Sequence, residues 1–286
     1  CFFNMLIMFD LINYFRMKEL FESVSVTVSA AWLKYFPQFV PDRQNPDGRP
    51  EVTMCTSSEV ASMVNTRLSN TNIYIVYPDH SWIDVRYVAE LYLFPLWEPT
   101  NMEEFSRMIS LAWSVAEKYQ ISIILLTPTD FSIQLLMESS LPSPAVIDHF
   151  MAHISLPENF ALLDPIQKIR VLEEFAGSSP FNLHLHGEDK TLGIVADAGI
   201  AKMLEQFSQL QYPVLKIGHY PLGRSLVEPI YYSCDEILVL ENGLPYIEQR
   251  LRGIMGVGTR IRGKLNRIVP SNWEISLQDI STILNL

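Results

Sequence analysis

Residues 215–222 read LKIGHYPL, and residues 238–253 read LVLENGLPYIEQRLRG. Each begins as an apolar run with the character of a buried strand, meets Gly or Pro, and continues into an amphipathic stretch. The pattern extends outward from both. LGIVA (192–196) precedes a helix expected over 198–210, PVLKIG (213–218) one over 223–232, and DEILVL (235–240) one over 245–254. Strands that are apolar throughout and alternate with single helices predict a parallel sheet covered on both faces and joined by right-handed crossovers. Ligands and partners approach such a sheet at the carboxyl ends of its strands. Those ends are Asp197, Gly218–His219 and Glu241–Asn242.

The earlier part of the chain repeats the theme. NIYIVY (72–77) and ISIILL (121–126) are β-branched strand-like runs. Between them MEEFSRMISLAWSVAEKY (102–119) sets Phe105, Met108, Ile109, Ala112, Val115 and Ala116 at helical spacing. Thr100 or Asn101 would cap that helix, and Glu103 and Glu104 suit the positive end of its dipole. Residues 37–53, rich in Pro, Asn, Asp and Gly, read as a loop. From 140 to 190 prolines loosen the pattern around one short helix near 165–175. The expected fold class is therefore α/β, with two parallel-sheet domains over 1–135 and 191–286 and a connection over 136–190.

Composition removes several function classes. Hydrophobic residues make up 48% of the 286 and charged residues 19%, which is a globular balance and enough chain for two domains. A net charge of −11 argues against nucleic acid as a partner, because phosphate contacts need clustered Lys and Arg. Cys1, Cys55 and Cys234 are odd in number and widely spaced, so a reducing cytoplasm is expected rather than a disulfide framework. The apolar start CFFNMLIMFDLINYFRMKELF is broken by Asp10, Asn13 and Arg16, and reads as a buried amphipathic helix rather than a membrane span or a secretory signal. Its first residue is not Met, which suggests a truncated or internally started chain.

Few constellations carry chemistry by themselves. His184 and His186 would share one face of a strand, but no third ligand stands at metal-site spacing, and no metal site is expected. His219 occupies a strand's carboxyl end, where it is either a functional imidazole or a turn residue. Arg250, Arg252, Arg260, Arg262, Lys264 and Arg267 form a basic segment in an acidic chain. It would dock a nucleotide, coenzyme A or an acidic partner, or it is the solvated face of a strand and helix end. GIMGVGTRIRG lacks the third glycine and the preceding strand of a dinucleotide fingerprint, and Cys234 has no His placed to activate it.

Two longer runs carry a family resemblance. YPVLKIGHYPLGRSLVEPIYYSCDEILVLENGLPYIEQRLRG (212–253) resembles the middle, transketolase C-terminal-like domain of the 2-oxoacid:ferredoxin oxidoreductases, most nearly the indolepyruvate ferredoxin oxidoreductase α subunit. RYVAELYLFPLWEPTNMEEFSRMISLAWSVAEKYQISIILLTPT (86–129) resembles the end of the same subunit's pyrimidine-binding domain, with its Pro-x-x-Glu-Pro turn at Pro95 to Pro99. The resemblance implies an enzyme that decarboxylates a 2-oxo acid oxidatively with thiamine diphosphate and magnesium, passing electrons through iron–sulfur clusters to ferredoxin and the acyl group to coenzyme A. It further implies a Glu that hydrogen-bonds the aminopyrimidine. Glu59, in CTSSEVASM, is the candidate, and as a plain residue it would cap a helix.

The sequence departs from that family in two respects. It has no Gly-Asp turn followed by the Asn that holds magnesium and diphosphate, and no Cys-x-x-Cys run for a cluster. The expectation is part of a cytoplasmic, oligomeric oxidoreductase, inactive until a partner subunit supplies the diphosphate domain. The alternatives are a non-catalytic assembly subunit derived from the family, and a gene fragment. Candidate partner or ligand contacts are His219, Glu241, Asn242, Arg260, Arg262 and Lys264.

Overall fold

Side-chain parity along the strands builds two three-layer sandwiches. The computed structural model describes residues 50–66, 71–77, 83–127, 144–154, 156–256 and 260–285. The expected N-terminal helix, Cys1 and the expected loop over 37–49 lie outside them.

The first sheet begins with β1 (Glu51–Thr56), which runs parallel to β2 (Asn72–Tyr77) through a six-residue register from Glu51↔Asn72 to Thr56↔Tyr77. Next come β4 (Ile123–Leu126) and the two-residue β3 (Leu96–Trp97), both parallel, in the order β1-β2-β4-β3. In β2 and β4, Tyr74, Val76 and Ile124 share a core with Val60 and Val64 of α1 (Ser57–Thr66) and Val85, Val88 and Ala89 of α2 (Val85–Tyr92). Ile73, Ile75, Ile123 and Leu125 have the opposite parity and are as deeply buried. Against β2 and β4 packs α3 (Met102–Tyr119), which in turn meets α4 (Pro144–Ala152).

The second sheet has the order β10-β9-β6-β7-β5. Its parallel strands are β6 (Leu192–Asp197), β7 (Val214–Ile217), β9 (Glu236–Leu240) and β10 (Ile261–Arg262). Val195, Leu215, Ile217, Ile237 and Val239 face α7 (Arg224–Ser233) and α8 (Tyr246–Met255) in the same core that serves the first sheet. Ile194, Ala196, Val214, Leu238 and Leu240 face the other way, onto α6 (Ala198–Leu204) and α9 (Leu277–Leu284).

Each sheet departs from the parallel expectation at one edge. The segment read as a connection contributes α5 (Pro165–Gly177), held at its start by an Asp164–Gln167 capping box, and β5 (Leu183–Leu185), which pairs antiparallel with β7. The other departure lies within LKIGHYPL. After β7 the chain leaves the second sheet at Gly218, and His219–Tyr220 (β8) pairs antiparallel with β3 of the first sheet, Trp97 opposite His219 and Leu96 opposite Tyr220. Gly218 permits this because a Cβ there would lie 2.8 Å from the Phe181 carbonyl oxygen and 3.0 Å from that of Glu98. The crossing is pinned by Glu98 N donating to Gly218 O at 2.8 Å, and by the Asn182 side chain accepting from Gly218 N and His219 N. Nearby, Lys216 donates to both Glu104 carboxylate oxygens at 2.7 and 2.9 Å, joining β7 to the first turn of α3.

Asn101 is the residue that caps α3, its side chain accepting from Glu104 N. The helix expected over 198–210 stops at Leu204, and 205–210 continue as turns through Phe207 N to Leu204 O and Leu210 N to Phe207 O. β1 starts inside the stretch read as loop, because Val52 to Thr56 pair with β2 despite the turn-forming residues before them. No described helix is long and apolar enough to cross a membrane.

Candidate functional site

Because β8 belongs to the first sheet, the carboxyl ends of β6 and β9 face the end of β3 and the start of α2. Alternation along β8 then sends its two side chains to opposite surroundings. Tyr220 joins a polar cluster, and His219 an aromatic one.

The polar cluster is centred on Arg86. Asp84 caps α2 by accepting from Arg86 N, and holds the Arg86 guanidinium through Nε to Oδ1 at 2.8 Å and Nη2 to Oδ2 at 2.5 Å. Arg86 Nη1 donates to Glu241 Oε2 at 3.0 Å, and Nη2 also to the carbonyls of Asn242 and Leu244. Glu241 in turn accepts from Ile247 N and Glu248 N at the start of α8. Asp197 caps α6 through Ile200 N and accepts from Asn242 N at 2.6 Å, while the Asn242 side chain accepts from Ile275 N. Tyr220 donates its hydroxyl to Glu98 Oε2 at 2.9 Å. Gly243, at φ +72°, has no room for a Cβ against Asp84 Oδ2, 2.9 Å away.

Asp84, Glu98, Asp197 and Glu241 therefore share with Arg86 and Lys264 a seam that water reaches poorly, and the titration of Glu98, Glu241, Asp197 and Arg86 reflects it. Burial, with Asp197 repelling, pushes Glu98 up to about 8. Burial lifts Glu241 to about 7 against the pull of Arg86, and raises Asp197 as well. Burial by itself would lower Arg86, but Asp84 and Glu241 hold it well above its ordinary value and it stays charged. Glu98 thus keeps its proton to a higher pH than an isolated surface carboxylate does.

The aromatic cluster lies on the other side of β8. His219 is fully buried, edge-on to Phe175 at 4.6 Å and to Trp97 at 5.4 Å, with Phe181 and Phe150 beyond. Neither ring nitrogen has a hydrogen-bond partner, nor does Trp97 Nε1. Burial holds the imidazole neutral by lowering it to about 3.

Of the residues singled out from the sequence, the seam brings together Asp197, Glu241, Asn242 and Lys264. Lys264 is buried and donates to the Gly243 and Asn272 carbonyls, and burial lowers its titration. Arg260 is committed to the carbonyls of Tyr231, Cys234 and Asp235, and Arg262 to Glu236. Arg250 pairs with Glu90 and Arg252 with Glu248. Glu59 is exposed at the head of α1, accepting from Thr56 N and Thr56 Oγ1, both at 3.0 Å. His184 lies exposed on β5, His186 exposed just beyond it, and Cys234 is buried. Asp84, Arg86, Glu98 and Tyr220 were not anticipated. An Asp directly before the amphipathic VRYVAELY is the signal by which Asp84 could have been found, and Glu98 stands in the Pro-x-x-Glu-Pro turn, but nothing local announces that Arg86 meets Glu241.

The sequence is 26% identical over 211 residues to the indolepyruvate oxidoreductase subunit IorA of Methanothermobacter marburgensis, a match that covers 68% of this chain and 34% of that protein. It is 27% identical over 214 residues to the same subunit of Archaeoglobus fulgidus, covering 70% and 34% respectively. The chain thus spans about a third of the length of the curated relatives it matches. No family model matches it. Among solved structures, a 2-oxoglutarate:ferredoxin oxidoreductase from Magnetococcus marinus, with 2-oxoglutarate, coenzyme A and succinyl-CoA bound, superposes with a TM-score of 0.54 at 10% identity. That likeness covers 82% of this chain and 52% of the other, and it concerns the fold. The resemblance read from residues 86–129 and 212–253 is to this group of proteins.

Proposed function

We propose that the chain is the pyrimidine-side and middle-domain part of a 2-oxoacid:ferredoxin oxidoreductase of the indolepyruvate type. The observation that carries this reading is the β3–β8 pairing: the two segments that resemble the family, far apart in sequence, are hydrogen-bonded neighbours in one sheet. A likeness in two segments that also meet in space favours descent of the whole unit over chance similarity in either.

The reading brings thiamine diphosphate and magnesium with it, and the described residues fit them only in part. Glu59 offers an exposed carboxylate of the type needed at the aminopyrimidine. Among the described residues no group of three His, Cys, Asp or Glu side chains is arranged to hold a metal ion. Magnesium and diphosphate would therefore be held by another domain, on a partner subunit or elsewhere in a longer chain. When bound, the cofactor supplies the carbanion chemistry that decarboxylates a 2-oxo acid. This chain's share would be to present Glu59 and to fix the relative position of the two sheets through the Arg86 seam. Ferredoxin as electron acceptor and a cytoplasmic, oligomeric enzyme belong to the same proposal.

One observation favours a second reading, a non-catalytic assembly subunit: the Glu59 carboxylate is already engaged at its own helix start. The two separate by recovering the chain with its partners from native extract and titrating thiamine diphosphate and magnesium into the complex by calorimetry. Tight binding that Glu59→Ala weakens supports the enzyme. A complex that assembles and takes up no cofactor supports the assembly role.

A further inference from the structure

On α4 and the turn after it, His149 and His153 are both exposed, one helical turn apart, with ring centroids 4.4 Å from each other. Residues at i and i+4 project from one face of a helix. His153 N bonds to Phe150 O, so the chain still curves helically where the second imidazole leaves it. His153 Nδ1 lies 2.7 Å from the His149 carbonyl oxygen. A carbonyl can only accept, so that contact puts the proton on Nδ1 and leaves Nε2 with its lone pair free. A ring-nitrogen proton donated to a backbone carbonyl is the outer support that metal-binding histidines use to fix tautomer and orientation.

We propose that His149 and His153 form a two-imidazole site for a divalent first-row ion of the zinc, nickel and copper group. Imidazole suits these ions, and bonds of about 2.0–2.1 Å from each nitrogen are within reach of rings this close after small side-chain rotations. Two protein ligands leave the remaining positions to water or to a donor from a bound molecule, so the site is an open clip on the surface. The other described histidines lack this arrangement: His184 and His186 alternate along an extended segment, and His219 is sealed among aromatic rings. The site involves neither Glu59 nor the seam, and stands whichever reading of the function holds.

The test is calorimetric titration of zinc chloride into the full chain at pH 7.5, with the copper(II) spectrum recorded by electron paramagnetic resonance. One ion per chain and a spectrum carrying two nitrogen couplings are expected. His149→Ala and His153→Ala should each weaken binding by at least the roughly tenfold that even the loss of an outer-shell support costs. Binding should also weaken as pH is lowered, since the metal competes with protons, while a His184→Ala/His186→Ala variant binds as before. Circular dichroism of the variants separates lost binding from lost helix. No binding to the folded chain, or binding that survives both single substitutions, overturns the proposal.

Discussion

Arg86 and Glu241 lie 155 positions apart in sequence and 3.0 Å apart in the fold, each almost completely buried. Their contact ties the start of α2, in the first sandwich, to the carboxyl end of β9 in the second. Removing one partner of a buried ion pair strands the other, and costs about 3–5 kcal/mol. Arg86→Met, which strands two carboxylates, should lower stability by that amount in urea titration, and adding Glu241→Gln should recover part of it. An Arg86→Met protein as stable as the parent would mean that the seam contributes nothing.

Gly218→Ala tests the crossing. The new Cβ would meet two backbone carbonyl oxygens at 2.8 and 3.0 Å, neither of which can swing aside as a side chain would. Overpacking of this kind costs roughly 1–3 kcal/mol. The thermal midpoint should fall accordingly.

Stability should decline with alkalinity. Folding raises Glu98 to about 8 and Glu241 to about 7 from an ordinary 4.5, so the native state binds these protons more tightly than the unfolded chain does. Their contribution is fully present below 4.5 and is lost as pH rises through 7 and 8. The urea midpoint should therefore be higher at pH 6.5 than at pH 8.5, and Glu98→Gln should flatten the difference. A parent protein with no slope over that interval contradicts the assignment.

His219 acts at the acid end with the opposite sign. Its titration is lowered from 6.5 to about 3, so the unfolded chain takes up a proton that the native state refuses, and stability falls as pH drops below 6.5. His219→Phe should remove that acid-side loss. It also deletes two buried, unpartnered ring nitrogens, and a buried polar group without a partner costs about 1–3 kcal/mol. The substitution should thus leave the protein at least as stable at pH 7; a marked loss would show that the ring nitrogens have a role in the cluster.

Glu59→Ala should be mild in the isolated chain, about 0.5–2 kcal/mol as for other helix caps, because the carboxylate serves only Thr56 there. Glu59→Gln retains the acceptor and should recover most of that loss.

The sequence made the strands with strong apolar periodicity legible: β2, β6, β7 and β9, together with α3, fall within a residue or two of expectation. β3 and β8 did not announce themselves, since two residues show no period and become strands only through each other. β1 was hidden by the turn-forming residues preceding it, and α2 by its brevity. For the site, the rule that sheets act at strand carboxyl ends picked out Asp197, Glu241 and Asn242. It could not supply Arg86, Asp84 and Glu98, which come from the other sandwich. Lys264 and Arg260 looked like free charge because their partners are carbonyl oxygens, and any residue type supplies those.

During synthesis, β3 emerges from the ribosome with one edge bare, and the strand that covers it follows about 120 residues later. At roughly 5–20 residues per second that wait is on the order of ten seconds. Until His219 and Tyr220 arrive, the first sandwich keeps that edge open to its surroundings, so anything that shields nascent chains has its natural task in that interval. The same pairing argues against dividing the chain between residues 127 and 190, which would leave β3 and β8 on separate pieces.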